Sequence, residues 1–384
     1  MLLNVGPQHP STHGVLRLIV ELEGETIADL TPDCGFLHTG IEKTAEHKLY
    51  LHALTLTDRI DYLSNLHNNL AFSLACEKLA DMHVPERAVA ARVILCELQR
   101  LASHLLWLGA FGIDLGATTP LLYGFRDREL ILDIFEACSG VRMMTSYIRP
   151  GGLARELPEG FEEMVAQAIN AIESRLPDYD DLLTHNPIFQ QRTRGIGVIG
   201  AQELLALGVT GPILRASGFE WDLRKHLPYC GYDQYDFEVP TRPEGDCYAR
   251  FLVRLEEMRQ SIRIIRQALG RLPAGPYRSD ERKFVLPPRE ELYQSMESLL
   301  HHFLLVSKGF EPPPGEVYAA VESPRGELGY YLVSDGTGKP YRLHVRAPSF
   351  ANLQALASMA RGHLLADLMA IMASVDLIMG DVDR

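Results

Sequence analysis

Apolar residues recur at three- and four-residue intervals through the middle of the chain, and this spacing predicts amphipathic helices. Pro85 and Pro120 stand at the openings of two such segments, where a missing backbone N–H costs nothing. The segments that carry the pattern are residues 66–79, 88–108, 121–138, 161–183 and 246–269. We expect them to pack together as a helical bundle.

Shorter runs that are β-branched or alternate between apolar and polar residues flank this region, and they predict strands. The predicted strands are residues 15–23, 26–30, 316–322, 328–334 and 341–346. Further helices are expected over residues 289–305, 350–361 and 364–374, followed by an acidic tail at 380–384.

This order of elements predicts an α+β fold with a central helical bundle, a small N-terminal sheet and a C-terminal antiparallel strand region. We expect one compact unit because no long linker interrupts the chain. Its parts are an N-terminal β region at 1–38, a helical core at 39–310, and a β meander with closing helices at 311–384.

The composition narrows the class of function. The chain has 384 residues, 46% of them hydrophobic, and a formal net charge of −13, which argues against nucleic acid as a partner. The longest apolar runs are interrupted by His104, Asp367 or Asp376, so no membrane-spanning helix is expected. Residues 1–14 lack the pattern of a secretory signal, which favours the cytoplasm.

The six cysteines are scattered along the chain, and none forms a C-x-x-C pair. Structural zinc sites and iron–sulfur clusters normally use closely spaced thiolates. We therefore expect no metal or cluster to be bound by this chain alone.

Familiar nucleotide-binding, serine-hydrolase and zinc-protease signatures are absent, so candidate chemistry rests on polar side chains in loops and at helix ends. His9 and His13 lie in the loop 6–14, whose prolines and glycines favour an irregular backbone. Such an imidazole can donate, accept or supply a proton near neutral pH. An ordinary surface histidine is the alternative.

Two other positions carry candidate chemistry. Arg59, Asp61 and Tyr62 place a cation, a carboxylate and a phenol within four residues, and Asp114 follows a long apolar segment. A carboxylate, an imidazole and a phenol together could deliver protons if the fold brought them together. The alternatives are a surface ion pair, a core tyrosine and a helix-end carboxylate.

Long mixed motifs connect the chain to a known family. Residues 4–14 and 37–50 resemble signature segments of the D subunit, the quinone-site subunit of proton-pumping NADH–quinone oxidoreductases, which are also called respiratory complex I. Further stretches that agree are residues 58–62, 100–105, 147–152, 215–218, 323–335, 346–350 and 379–384. The resemblance covers essentially the whole chain.

That family is similar in fold to the large subunit of nickel–iron hydrogenases, which hold their metal with two C-x-x-C pairs. Residues 59–63 stand where the early pair would begin, and residues 376–381 occupy the position of the late pair. Without thiolates to hold nickel, the resemblance implies a cavity that accepts a quinone instead.

The resemblance also implies roles for individual residues. His13 and Tyr62 would donate hydrogen bonds to the quinone headgroup, and Asp114 would orient and charge His13. Arg59 would lie close to a [4Fe–4S] cluster held by a neighbouring subunit. The implied partners are that cluster-bearing subunit, other peripheral-arm subunits and membrane-arm subunits, at the cytoplasmic face of the bacterial cell membrane.

One position departs from the family pattern. Met144 stands where many relatives carry a histidine that is thought to couple the cluster potential to pH. Since a thioether cannot titrate, we expect the potential to depend weakly on pH between about 6 and 8. Alternatives to the main interpretation are a hydrogenase-like protein, a quinone oxidoreductase with ferredoxin or another donor, and a structural subunit without catalytic residues.

Overall fold

The computed structural model describes residues 1–384, and long helices form its centre. The helices are α1 (Ile41–Glu46), α2 (Tyr50–Thr57), α3 (Asn65–Ala80), α4 (Glu86–Asp114), α5 (Thr119–Ser139), α6 (Phe161–Tyr179), α7 (Pro187–Thr193), α8 (Ala201–Ala206), α9 (Pro212–Arg215), α10 (Leu223–His226), α11 (Cys247–Leu269), α12 (Met296–Ser307), α13 (Pro348–Ala360), α14 (Leu365–Val375) and α15 (Met379–Asp383). Together with the sheets described next, they confirm the predicted α+β class.

Three small antiparallel sheets accompany the helices. Their strands are β1 (Leu2–Val5), β2 (Arg17–Glu23), β3 (Thr26–Asp33), β4 (Ile148–Arg149), β5 (Gly152–Leu153), β6 (Gly315–Ser323), β7 (Gly326–Ser334) and β8 (Arg342–Arg346). The N-terminal sheet has the order β1-β2-β3 and the C-terminal sheet the order β6-β7-β8. Leu328, Tyr330 and Leu332 of β7 alternate into the core, as a half-buried strand requires.

The 29-residue helix α4 packs against α3, α5, α11 and α14. Glycines let α5 approach it closely: a Cβ placed on Gly124 would lie 2.5 Å from the Leu105 carbonyl oxygen, and one on Gly109 would lie 2.7 Å from Leu121 Cα. No helix, α4 included, has the length and apolar character needed to cross a membrane.

Most of the predicted helices are confirmed, with differences at their ends. The segment predicted over 161–183 is α-helical only to Tyr179 and continues as a π-helical turn over Asp180–Thr184. The segment predicted over 289–305 becomes α-helical only at Met296, because Ser295 accepts a hydrogen bond from the Ser298 N–H and caps the helix there. Strand β1 and the short helices α7 to α10 were not predicted.

The segment predicted as an acidic tail at 380–384 lies in a buried helix. Residues Met379–Asp383 form α15, and all five are buried. Asp383 accepts hydrogen bonds from the Gly35 and Leu37 N–H groups at 2.8 and 2.7 Å, so the carboxylates bind backbone from distant parts of the chain. Gly380 lies so close to the Ile60 carbonyl that a Cβ there would be 2.6 Å from it.

Candidate functional site

The loop 6–14 between β1 and β2 is held in one shape by its own hydrogen bonds. The buried Thr12 hydroxyl lies 2.8 Å from the His9 carbonyl and 3.0 Å from the Pro7 carbonyl. A short 3-10 turn over Pro10–Thr12 interrupts the otherwise irregular backbone. His13 follows it with φ 57°, a left-handed conformation that is uncommon outside glycine. This backbone presents the His13 side chain at the surface of the loop.

Asp114, at the end of α4, is tied to the same loop. Its Oδ1 accepts a hydrogen bond from the Ser11 hydroxyl at 2.8 Å, whereas no hydrogen bond joins it to His13. Partial burial lowers the pKa of His13 and outweighs the opposite effect of Asp114. Burial also raises the pKa of Asp114 itself. The His13 imidazole is therefore neutral near pH 7.

Tyr62 lies in the turn between α2 and α3. Its ring is half-buried, and its hydroxyl makes no hydrogen bond within the chain. Burial raises the pKa of the phenol, and the negative charges of Asp61 and Asp376 raise it further. The hydroxyl therefore keeps its proton and is a free donor.

Arg325, in the turn between β6 and β7, is fully buried and connects two distant carboxylates. Its Nη1 donates to Asp61 at 2.9 Å, and its Nη2 donates to Asp376 at 3.2 Å. The positive charge of Arg325 lowers the pKa of both His13 and Tyr62, so the guanidinium lies within electrostatic reach of both. The segments that the resemblance aligned with the two cysteine pairs thus meet at one arginine.

Asp58 brings Arg59 and the Met144 segment together. The buried Asp58 carboxylate accepts hydrogen bonds from Ser146 and from Asn69, the latter at 2.9 Å. The Arg59 guanidinium, 57% exposed, lies 3.6 Å from the same carboxylate. Met144 is two residues from Ser146 and has a left-handed backbone, φ 58°. Arg59 and the segment that contains Met144 therefore meet at one buried acid.

A cavity of about 900 Å³ opens beside the loop 6–14. One side is lined by residues 4–9, and the other by Leu364, Leu365 and Met369 at the start of α14. Its apolar wall suits a hydrocarbon chain. No group of three or more His, Cys, Asp or Glu side chains is arranged to hold a metal ion.

The family model described as "Respiratory-chain NADH dehydrogenase, 49 Kd subunit" matches residues 114–384. A protein of Roseiflexus sp. (strain RS-1) that is named as a D subunit of NADH-quinone oxidoreductase is 60% identical over 387 residues, covering 100% of this chain and 93% of the relative. The chain belongs to this family. Similar relatives from Chloroflexus aurantiacus (56% identical, 94% of the relative covered) and Geotalea uraniireducens (53%, 98%) are also named as D subunits of this oxidoreductase.

Membership in the D-subunit family confirms the resemblance drawn from the motifs and the predicted hydrogenase-large-subunit type of α+β fold. Of the predicted site residues, the structure links Asp114 to the His13 loop and places Tyr62 beside Asp61. Sequence reasoning missed Arg325, which connects Asp61 to Asp376. The available signal was that Asp61 and Asp376 both fall at the positions of the missing cysteine pairs.

Proposed function

We propose that this chain forms the quinone-reduction site of a proton-pumping NADH:quinone oxidoreductase, beside a [4Fe–4S] cluster of a neighbouring subunit. One observation carries the proposal. Two side chains able to donate a hydrogen bond, His13 and Tyr62, lie within electrostatic reach of one buried cation, Arg325. Reduction by two electrons places negative charge on the quinone oxygens, and this arrangement would stabilise it.

In this site the neutral His13 imidazole donates one hydrogen bond to the headgroup, and the Tyr62 hydroxyl donates another. Asp114 positions the His13 loop through Ser11 and does not hold a charge on the imidazole. As the oxygens gain negative charge, Tyr62 is the proton donor, because its hydroxyl is free within the chain. Arg325 offsets part of the negative charge that Asp61 and Asp376 place behind the headgroup.

Arg59 and Met144 form the part of the site that faces the neighbouring cluster in this proposal. An exposed guanidinium is available to a partner, and its fixed positive charge would raise the potential of a nearby cluster. Since Met144 cannot titrate, that potential should change little with pH. The electrons come from outside the chain, which supplies no cluster of its own.

We infer that the chain is a peripheral subunit that acts only within the complex. Its partners would be the cluster-bearing subunit, other peripheral-arm subunits and membrane-arm subunits, at the cytoplasmic face of the cell membrane. The cavity beside the loop 6–14 would receive part of the isoprenoid tail. One hydrophobic core runs from Val5 to Val382, which supports a single unit in place of separate domains.

The test is Tyr62→Phe in the assembled complex. Loss of the hydroxyl should lower NADH:quinone reductase activity about 10²-fold, the usual cost of removing one preorganised donor. Oxidation of NADH by a soluble acceptor that bypasses the quinone should be unchanged.

The matched control is Tyr293→Phe, since Tyr293 is 92% exposed and lies on the short turn before α12. It should keep full quinone reduction. If Tyr62→Phe and His13→Ala both reduced quinone at the normal rate in complexes of normal subunit content, the chain would be a structural subunit and the proposal would be wrong.

A further inference from the structure

Behind Tyr62 the structure contains three buried carboxylates, Asp61, Asp376 and Asp381, which we name the buried acid cluster. They are 2%, 8% and 0% exposed. Arg325 binds the first two, but Asp381 forms no ion pair, and its hydrogen-bond partner is Ser349, whose N–H lies 2.8 Å away. Three buried acids thus lie close to one guanidinium, which forms ion pairs with two of them.

Two carboxylate oxygens of the buried acid cluster lack a hydrogen-bond partner. Asp376 Oδ2 and Asp381 Oδ1 are both buried without a hydrogen-bond partner. The nearby Arg254 does not donate to them, because its Nη atoms donate to the Ser374 and Val375 carbonyls at 2.8 and 3.1 Å. An ionised carboxylate with a bare buried oxygen is costly, whereas protonation removes the charge. The geometry therefore favours retention of a proton in the cluster.

Asp381 is the member best suited to hold that proton. Burial, followed by the negative charge of Asp61, raises the pKa of Asp381 to about 7. The charged and titratable groups around it come from several elements. They are Asp61 and Tyr62 before α3, Arg325 and Tyr330 at the β6–β7 hairpin, Arg254 on α11, Asp376 after α14, and Asp383 and Arg384 at the chain end.

The cluster lies directly against Tyr62. Asp61 is its neighbour in the chain, and α15, which carries Asp381, packs on the phenol ring: a Cβ placed on Gly380 would lie 3.4 Å from Tyr62 Cε1. The charges of Asp61 and Asp376 both act on the Tyr62 hydroxyl. The charge of Asp61 acts on Asp381 as well as on Tyr62, so Asp61 links a proton held on Asp381 to the proposed donor.

We propose that the buried acid cluster stores one exchangeable proton on Asp381 and returns it to Tyr62 after Tyr62 has protonated the reduced quinone. This inference rests on the proposed function. In the first step the Tyr62 O–H bond breaks and a quinone O–H bond forms, which leaves a phenolate. In the second, the carboxyl O–H bond breaks and the phenol O–H bond forms again, which leaves a carboxylate that regains its proton from solvent.

Both steps balance for one proton: the two electrons arrive through the proposed activity, and the second proton that the quinol needs comes from solvent. The second step runs downhill, because a phenol has a higher pKa than a carboxyl even when that carboxyl is buried. Asp381 acts through Tyr62 and is therefore a positioning residue and proton store, which does not touch the quinone.

The experiment is Asp381→Asn in the assembled complex, with kcat for quinone reduction measured from pH 6 to 8. In the unaltered enzyme, Asp381 with a pKa of about 7 changes from about nine-tenths to about one-tenth protonated over this range, so kcat should fall about tenfold. In Asp381→Asn, kcat at pH 6 should already be about tenfold lower and should not depend on pH, with KM for quinone unchanged.

The matched control is Asp383→Asn. Asp383 lies on the same helix as Asp381. Unlike Asp381, it has a hydrogen-bond partner for each carboxylate oxygen, because each accepts a backbone hydrogen bond. This variant should keep the pH dependence of the unaltered enzyme. A purely structural role of Asp381 would lower the content of assembled complex and leave the shape of the profile unchanged.

Infrared spectroscopy of the unaltered complex provides a readout that needs no variant. The band of a protonated carboxyl group should disappear as pH rises through about 7, and it should be missing from Asp381→Asn. A wild-type pH profile in Asp381→Asn, or no such band, would overturn the inference. If Tyr62→Phe is inactive while Asp381→Asn behaves normally, only the proton store is wrong. If Tyr62→Phe is fully active, the proposed function itself fails.

Discussion

Two of the groups of buried charges in this protein differ in how completely their carboxylates are paired. One is the buried acid cluster behind Tyr62. The other, which we name the buried arginine network, lies between α4, α11 and the β6–β7 hairpin, and is fully buried. Its members are Glu97, Arg100, Arg215, Asp222, Arg224, Glu257 and Glu322.

In the buried arginine network every carboxylate oxygen accepts at least one hydrogen bond. The Glu97 carboxylate by itself accepts hydrogen bonds from Arg100, Arg224, Tyr232 and Ser261. The arginines hold the pKa of Glu97 well below its usual range against the effect of burial. This carboxylate therefore stays ionised at any pH at which the protein works.

His104, at the edge of the network, shows the same fixed protonation. Its Nε2 lies 2.9 Å from Glu257, yet burial lowers the pKa of the imidazole to about 4. It remains neutral at neutral pH. The comparison contrasts Glu97, whose carboxylate has four hydrogen-bond donors and stays ionised, with Asp381, which has an unpaired buried oxygen and can exchange a proton.

The strongest test of this contrast is Arg215→Met. Arg215 donates to Glu257 at 2.6 Å and to Glu322 at 2.8 Å, and both acids would be left buried without their main partner. Breaking such a pair costs about 3–5 kcal/mol, so the chain should be missing from the purified complex. Quantitative mass spectrometry of the subunits measures this.

The control for Arg215→Met is Arg266→Met, which removes a surface pair with Glu173 whose side chains are 51% and 50% exposed. Such pairs contribute about 0–1 kcal/mol, and assembly should be normal. Normal assembly of Arg215→Met as well would show that the network is not a scaffold.

A smaller effect on assembly is expected from Arg325→Gln in the buried acid cluster. Burial already raises the pKa of Asp61 and Asp376, so they can take up protons when the guanidinium is lost. The complex should assemble, and quinone reductase activity should fall about tenfold or more because the charge behind the headgroup is gone. Steady-state kinetics and subunit content measure both effects.

Two outcomes for Arg325→Gln would contradict the distinction between the buried acid cluster and the buried arginine network. Failure to assemble would make the buried acid cluster a scaffold like the arginine network. Full activity in an assembled complex would remove Arg325 from the site.

Local sequence patterns predicted the long helices well because each of them shows its apolar spacing over many residues. Strand β1 was missed because four residues, Leu2–Val5, are too short for a clear alternation. The tail was predicted only as an acidic segment because its acids are visible in the sequence, whereas the backbone N–H groups that bind Asp381 and Asp383 belong to residues 349, 35 and 37.

The candidate site, too, depends on contacts between residues that are far apart in the sequence. His13, Tyr62 and Asp114 were candidates from the sequence and received their roles from the family resemblance, but the hydrogen bond from Ser11 to Asp114 joins residues 103 positions apart. Arg325 and Asp61 are 264 positions apart. Pairings of this kind depend on the tertiary fold, and no local pattern contains them.

The most direct test of the central claim is a high-resolution structure of the assembled complex with quinone bound. We expect one headgroup oxygen within hydrogen-bonding distance of the His13 imidazole and the other within that distance of the Tyr62 hydroxyl, with Arg325 behind them. A headgroup bound elsewhere, out of contact with both side chains, would contradict the proposed site.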